Sequence, residues 1–301
     1  MKILNFGSCN IDYVYSLDHI VSPGETETTY KMETFSGGKG LNQSIAVAKA
    51  GAKIFHAGCI GEGGQMLEDM MKSSGVDTTY IKKVPEKNGH AIIQVTAKGE
   101  NSIFLYPGSN AMVEKDYIDS VLADFSENDI LLLQNEISNI DYIVEKAYEK
   151  GMCIILNPSP FNDEIKKIDF NMLSYIILNE VEAKAVSGSE DAKESLAFFQ
   201  KHYPDLKVML TLGSRGCIYK DTEIEASQEI FPVEVVDTTA AGDTFTGYFI
   251  AGIASGDDTK EILKTATMAS AIAVSREGAA PSIPEKCEVL KAISDMEKAN
   301  D

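Results

Sequence analysis

From Pro107 to Lys220 the sequence alternates short apolar runs with amphipathic stretches, and that order leaves few folds open. Asp129–Leu133, Met152–Leu156, Tyr175–Leu178, Lys207–Thr211 and Gly216–Lys220 have the length and apolar content of buried strands. Ile140–Lys150 repeats apolar residues at helical spacing and is ended by Gly151. Strand-then-helix order predicts an α/β fold, with a mostly parallel central sheet and helices on both faces. In such sheets ligands collect beyond the carboxyl ends of the strands, so the loops after these runs are where chemistry is expected.

One junction concentrates that chemistry: Val236-Asp237-Thr238-Thr239-Ala240-Ala241-Gly242-Asp243-Thr244-Phe245. Phe231–Val235 before it reads as a strand, and Phe245, Tyr248, Phe249 and Gly252 after it recur at helical spacing, so a helix starts near Gly242. Ala240, Ala241 and Gly242 carry almost no side chain. Their amides are left uncovered at a helix N-terminus, where an anion can bind. Asp243 adds a carboxylate beside that anion, an arrangement that stability alone does not favour. Phosphoryl transfer uses both parts: amides to hold the moving group, and a base for the attacking hydroxyl. Taken alone, the junction also reads as a helix start with Asp243 complementing the dipole.

Residue by residue, Asp237–Phe245 resembles the signature of the ribokinase-like (PfkB) family of sugar and nucleoside kinases. Ser36-Gly37-Gly38-Lys39-Gly40-Leu41-Asn42-Gln43 matches that family's GGKGxNQ motif and opens an amphipathic helix ended by Gly51. It is not a nucleotide-binding P-loop, because Gly40 follows the lysine where Ser or Thr is required. The resemblance implies Asp243 as catalytic base, with Ala240, Ala241 and Gly242 as the anion hole. It implies sugar contacts from Asn10, Asp12, Gly38, Lys39, Asn42, Glu136 and Asp243. Asp12 lies in Gly7–Asp12, read as the turn leaving a first strand, Lys2–Gly7; a solvated turn aspartate is the plainer reading. Glu136 follows the run Asp129–Leu133, where a solvated strand end is the alternative.

For the nucleotide the same resemblance points to Asn179 and Glu182 of an NxxE motif, to Thr211, Gly213 and Gly216 of a tight strand–strand turn, and to Gly242 and Thr267. Asn179 and Glu182 would orient Mg²⁺-bound waters, helix capping by Asn179 being the alternative. Thr267 departs from the family, which places asparagine there. A monovalent-cation site, filled by K⁺, would draw on Asp237, Thr239, Ala273, Arg276, Gly278 and Ser282. The last residues lie in Ser275–Ser282, a structureless loop after a helix from Ile262 to Val274.

The resemblance further implies a single ribokinase-like domain over 1–301. A β lid within it, formed by about 13–35 and 89–107, would pair with that of a second subunit in a homodimer. Gly58–Gly64 reads as the turn from strand Lys53–Ala57 into a helix. The expected activity is ATP-dependent phosphorylation of a primary hydroxyl, with D-ribose preferred. Fructose, deoxyribose, adenosine or a silent sugar-binding role are the alternatives. With 46 acidic against 27 basic residues the net charge is −19, which argues against nucleic acid or an anionic membrane as partner. No apolar run reaches the roughly 20 residues needed to span a bilayer. Five scattered cysteines, taken as reduced packing residues, point to the cytoplasm.

Overall fold

A computed structural model of the chain describes residues 1–300; of the expected unit 1–301, residue 301 lies outside the described residues. Strand β1 (Ile3–Phe6) is followed by β2 (Asn10–Leu17) and β3 (Lys31–Gly37), then helix α1 (Lys39–Lys49), β4 (Ile54–Glu62) and α2 (Gln65–Ser73). Next come β5 (Asp77–Lys87), β6 (His90–Thr96), β7 (Asn101–Tyr106), α3 (Lys115–Leu122), β8 (Ile130–Gln134), α4 (Ile140–Glu149) and β9 (Cys153–Asn157). The chain continues through β10 (Tyr175–Asn179), α5 (Glu180–Ser187), α6 (Ala192–His202), β11 (Lys207–Thr211), β12 (Cys217–Lys220) and β13 (Glu225–Gln228). Three helices finish it: α7 (Ala241–Ser255), α8 (Thr259–Val274) and α9 (Lys286–Asn300).

The expected α/β architecture is present. Nine strands form one sheet in the order β13-β12-β11-β10-β9-β8-β1-β4-β5, parallel except for β12 and β13 at one edge. Two apolar clusters flank it. One joins Leu41, Ile45, Phe249 and Ala269 to the strands' first face, and the other joins Ile118, Ile143 and Phe199 to the opposite face. The alternation of Ile130 and Leu132 with Leu131 and Leu133 between the two clusters is the period of a strand buried on both sides.

A second sheet of four strands, ordered β3-β2-β6-β7, corresponds to the expected lid. Its bounds differ from expectation. The lid begins at Asn10, so Asp12 stands on strand β2 opposite Phe35 of β3 and not on a turn of the central sheet. Three other readings are corrected. Phe231–Val235 has no regular structure: Pro232 cannot donate to a ladder, and Val235 is 61% exposed. β4 runs on through Gly58 and Gly61 to Glu62, because these glycines sit where neighbouring backbone presses in. A Cβ there would lie 2.5 Å from Gly7 O and 2.0 Å from Glu86 O respectively. Ser275–Ser282 contains a 3₁₀ turn over Ala280–Ser282, and the helix before it starts at Thr259, capped by Asp258. All five cysteines are free, but Cys287 is exposed and fills no core. Among the described residues no helix is long and apolar enough to cross a membrane.

Candidate active site

Asp243 lies in the first turn of α7 and is 8% exposed. Its two oxygens take amide donors from adjacent residues of α1: Asn42 Nδ2 reaches Oδ2 at 3.1 Å and Gln43 Nε2 reaches Oδ1 at 2.9 Å. Helices meet this closely only where side chains are small. A Cβ on Gly247 of α7 would stand 2.3 Å from that of Ala46 on α1, so the Gly247–Ala46 crossing sets the approach.

The turn before α7 is shaped to expose donors. Ala240 caps the helix in the left-handed region at φ 58°, ψ 11°, a conformation costly for a residue with a Cβ. Ala241 N–H closes back on Thr238 O at 3.3 Å, so one of the three expected anion-hole amides is already engaged. The N–H groups of Gly242 and Asp243 have no acceptor among the described residues. A Cβ built on Gly242 meets nothing within 4 Å, so the turn is open at this position.

Two further carboxylates come from the loop after β8, which carries Glu136, and from lid strand β2, which carries Asp12. Glu136 Oε2 accepts from Lys39 N–H at 2.9 Å and from the Ser8 hydroxyl. Burial holds its carboxyl above the usual range, against the pull of Lys39. Asp12 is half-buried and packs on the backbone of β3, since a Cβ on Gly37 would fall 2.0 Å from its Oδ2. Desolvation, then the charges of Glu136 and Asp243, push the Asp12 carboxyl up to about 7. Asp12 and Asp243 therefore lie near enough for their charges to act on one another, although 231 residues separate them in sequence. Lys39 is the cation beside these carboxylates. Burial opposes its charge, but Asp243, Glu136 and Glu182 more than offset that and hold it above its ordinary value. Asn10, also expected to meet sugar, is buried and accepts from Asn110 Nδ2 at 2.7 Å.

Beside Asp243 opens a cavity of about 190 Å³ bordered by Lys39, Asn179, Glu182, Thr211 and Ala240 to Asp243. Asn179 and Glu182 form a reciprocal capping box on α5, so the capping alternative describes their contacts. Glu182 Oε1 takes no part in that box, while Oε2 does. Asn157 and Ser159 border the same cavity and were missed in the sequence; their place beyond β9 was the available signal. Gly213, Gly216 and Thr267 do not border it. Gly213 is exposed in a 3₁₀ turn, and Gly216 packs against Gln228 O. Thr267 is buried in α8 with its hydroxyl 3.8 Å from Cys217 Sγ, because that position faces β12 and not solvent.

Asp237, Thr239 and Gly278 do converge. The Asp237 carboxylate accepts Thr239 N–H at 2.8 Å, the Thr239 hydroxyl at 2.6 Å and Gly278 N–H at 3.0 Å. These donors outweigh partial burial and hold the carboxyl below its usual range. Ala273 O accepts Arg276 N–H at 3.1 Å, and the Arg276 guanidinium pairs with Glu288 at 2.7 Å. Ser282 is buried and gives its hydroxyl to Ala279 O at 2.8 Å, so it is turned into its own loop.

Comparison with known proteins identifies the family. Residues 1–286 match the family described as pfkB family carbohydrate kinase. The ribokinase of Haemophilus influenzae is 34% identical over 299 residues, covering 95% of this chain and 96% of that protein. The deoxyribokinase of Salmonella typhi is 27% identical over 295 residues, covering 94% and 96%. The crystal structure of ribokinase from Cryptococcus neoformans var. grubii serotype A in complex with ADP superposes with a TM-score of 0.85 at 32% identity, covering 97% of this chain and 99% of that one. A match over nearly the full length, on the same architecture, shows that the chain belongs to the pfkB family of carbohydrate kinases and is a phosphotransferase.

Proposed function

We propose that this kinase transfers the γ-phosphoryl group of ATP to the primary hydroxyl of D-ribose, giving ribose 5-phosphate, ADP and a proton. The observation that carries this reading is that the segment Gly37–Gln43 touches three carboxylates, Asp12 at Gly37, Glu136 at Lys39 N–H and Asp243 at Asn42 and Gln43, while the amides of Gly242 and Asp243 beside the last have no acceptor among the described residues. Carboxylates bind polyols by accepting from adjacent hydroxyls, so Asp12 and Glu136 orient the sugar, assisted by Asn10, Gly38 and Asn42. Asn42 Oδ1 is buried with no partner among the described residues and supplies a further acceptor for a hydroxyl. Asp243 takes the proton of the attacking hydroxyl. The amides of Gly242 and Asp243, with Lys39, hold the negative phosphoryl group in line. The lid excludes water, which strengthens each of these contacts.

ATP then occupies the cavity beside Asp243, along Thr211 and Gly242. The free oxygen of Glu182, with Asn179, suits the waters of a Mg²⁺ ion, which neutralises phosphate charge when bound. Asp237, Thr239 and the carbonyls of Ala273, Arg276 and Gly278 form an oxygen-rich set suited to K⁺; the Ser282 hydroxyl as oriented does not join it. The exposed apolar lid strand, with Ile103, Phe104 and Leu105 each about half exposed, supports a homodimer through the lid.

Deoxyribose is the second reading, favoured by the full-length similarity to a deoxyribokinase. It lacks one hydroxyl, and a half-buried Asp12 oxygen left without a donor costs binding energy. ADP release measured over pentoses, deoxyribose, fructose and adenosine, with and without K⁺, tests the proposal. Highest kcat/KM with ribose is expected; a better rate with any other acceptor overturns the ribose assignment.

A further inference from the structure

We infer that Gln43 and Gln134 are positioning residues for the base, set in a ladder of buried amides whose polarity is fixed by one backbone carbonyl. This rests on Asp243 being the base, as proposed above. Asn5 Nδ2 donates to Gly40 O at 2.8 Å and to Ser44 Oγ at 2.8 Å. Asn5 Oδ1 accepts Gln134 Nε2 at 3.1 Å, and the same Nε2 reaches Gln43 Oε1 at 2.7 Å. Gln43 Nε2 then donates to Asp243 Oδ1 at 2.9 Å. Asn5, Gln43 and Gln134 are at most 1% exposed, so water cannot stand in for a missing rung.

A side-chain amide presents either NH₂ or oxygen, depending on its neighbours. A main-chain carbonyl has no such freedom and can only accept. Gly40 O therefore turns the Asn5 NH₂ towards itself, which turns Asn5 Oδ1 towards Gln134. Gln134 in turn holds the oxygen of Gln43 and leaves the Gln43 NH₂ facing Asp243. A flipped Gln43 would set its oxygen against the carboxylate and push it from its place. None of the three amides titrates, so the ladder orients the base and carries no proton. It also distinguishes the two carboxylate oxygens. Oδ1 is tied to the ladder, while Oδ2 meets Asn42, whose own oxygen is buried and unpartnered among the described residues. Oδ2 is thus the oxygen that receives the hydroxyl proton.

The test is a kinetic cycle with Gln43→Met, Gln134→Met and Asp243→Asn, each checked for folding by thermal melting. Gln43→Met and Gln134→Met are each expected to lower kcat by about 10–100-fold, the loss typical of a misplaced reacting group. Sugar KM and ATP affinity should stay within about twofold of wild type, since neither glutamine is an assigned ligand contact. The double variant should be no slower than Gln43→Met alone, because Gln134 acts only through Gln43. In the Asp243→Asn background Gln43→Met should cost nothing further. Wild-type kcat in Gln43→Met, or losses that multiply with Asp243→Asn, overturn the inference. If Gln134→Met fails to fold, the Gln43–Asp243 cycle decides alone. Failure of the underlying reading looks different: it is a wild-type enzyme without sugar-dependent turnover, or Asp243→Asn with undiminished kcat.

Discussion

Replacing Asp12 by asparagine should stabilise the sugar-free enzyme, and by an amount that grows with pH. In the folded protein the carboxyl sits at about 7, against 3.8 for its ordinary value, through desolvation and then the charges of Glu136 and Asp243. A raised acid binds its proton more tightly in the native state. Below the ordinary value it costs nothing, and the cost accumulates as pH climbs towards the folded value. At 1.36 kcal/mol for each tenfold difference in proton affinity, linkage sets a ceiling of about 1.7 kcal/mol at pH 5 and about 4 kcal/mol at pH 8. Asn keeps the shape and removes the charge, so Asp12→Asn recovers part of this. In a chain of this size about 2 °C of Tm accompanies each kcal/mol, giving a gain of about 2–6 °C at pH 8 and about half that or less at pH 5. Melting curves of wild type and variant at pH 5, 6, 7 and 8, each with and without ribose, measure it. Ribose should raise the Tm of the wild type and leave that of the variant unchanged, because sugar hydroxyls donate to the same oxygens. A variant less stable than wild type at pH 8, or a gain independent of pH, refutes the reasoning.

Asp243→Asn should lower kcat by about 10²–10⁴ with ATP affinity nearly intact, measured by ADP release and by nucleotide titration. Gly242→Ala should fold and melt like wild type, since its Cβ meets nothing within 4 Å, while kcat/KM for ATP falls at least tenfold because the methyl group covers the open amides. Unchanged kinetics there would remove those amides from the mechanism. Asp237→Ala should abolish any response of kcat to K⁺ without altering sugar KM, as seen in rates across K⁺ and Na⁺ concentrations. Phe104→Asp should convert a dimer to monomer in light scattering; a wild type that is monomeric at all concentrations ends the lid-dimer proposal.

Local signals in the chain were sufficient for the architecture. Parallel strands buried on both faces need continuous apolar runs, so Ile130–Gln134 and Tyr175–Asn179 announce themselves within a residue or two. Ala240 to Gly242 likewise advertise a helix start with little side-chain cover, because side-chain size is a property of the sequence itself, although Ala241 N–H proves to be engaged by Thr238 O. Errors fell where neighbours decide. Phe231–Val235 has strand composition but contains Pro232 and pairs with no strand, and Gly58 and Gly61 look like turn residues while serving close backbone approach inside β4. The burial of Thr267, with its hydroxyl 3.8 Å from Cys217 Sγ, is likewise a contact that no helical pattern reveals.

Sequence alone determined that an acid would lie next to exposed peptide nitrogens, since both are consecutive residues of one helix start. Only the tertiary structure decided what holds that acid and what it faces. Gln43 reaches it across 200 residues because Gly247 and Ala46 let two helices touch, and the charge of Asp12 on a lid strand acts on it. Periodicity reports which face of an element is apolar; it carries no information on which distant element will fill that face, and every contact of the base is of this second kind.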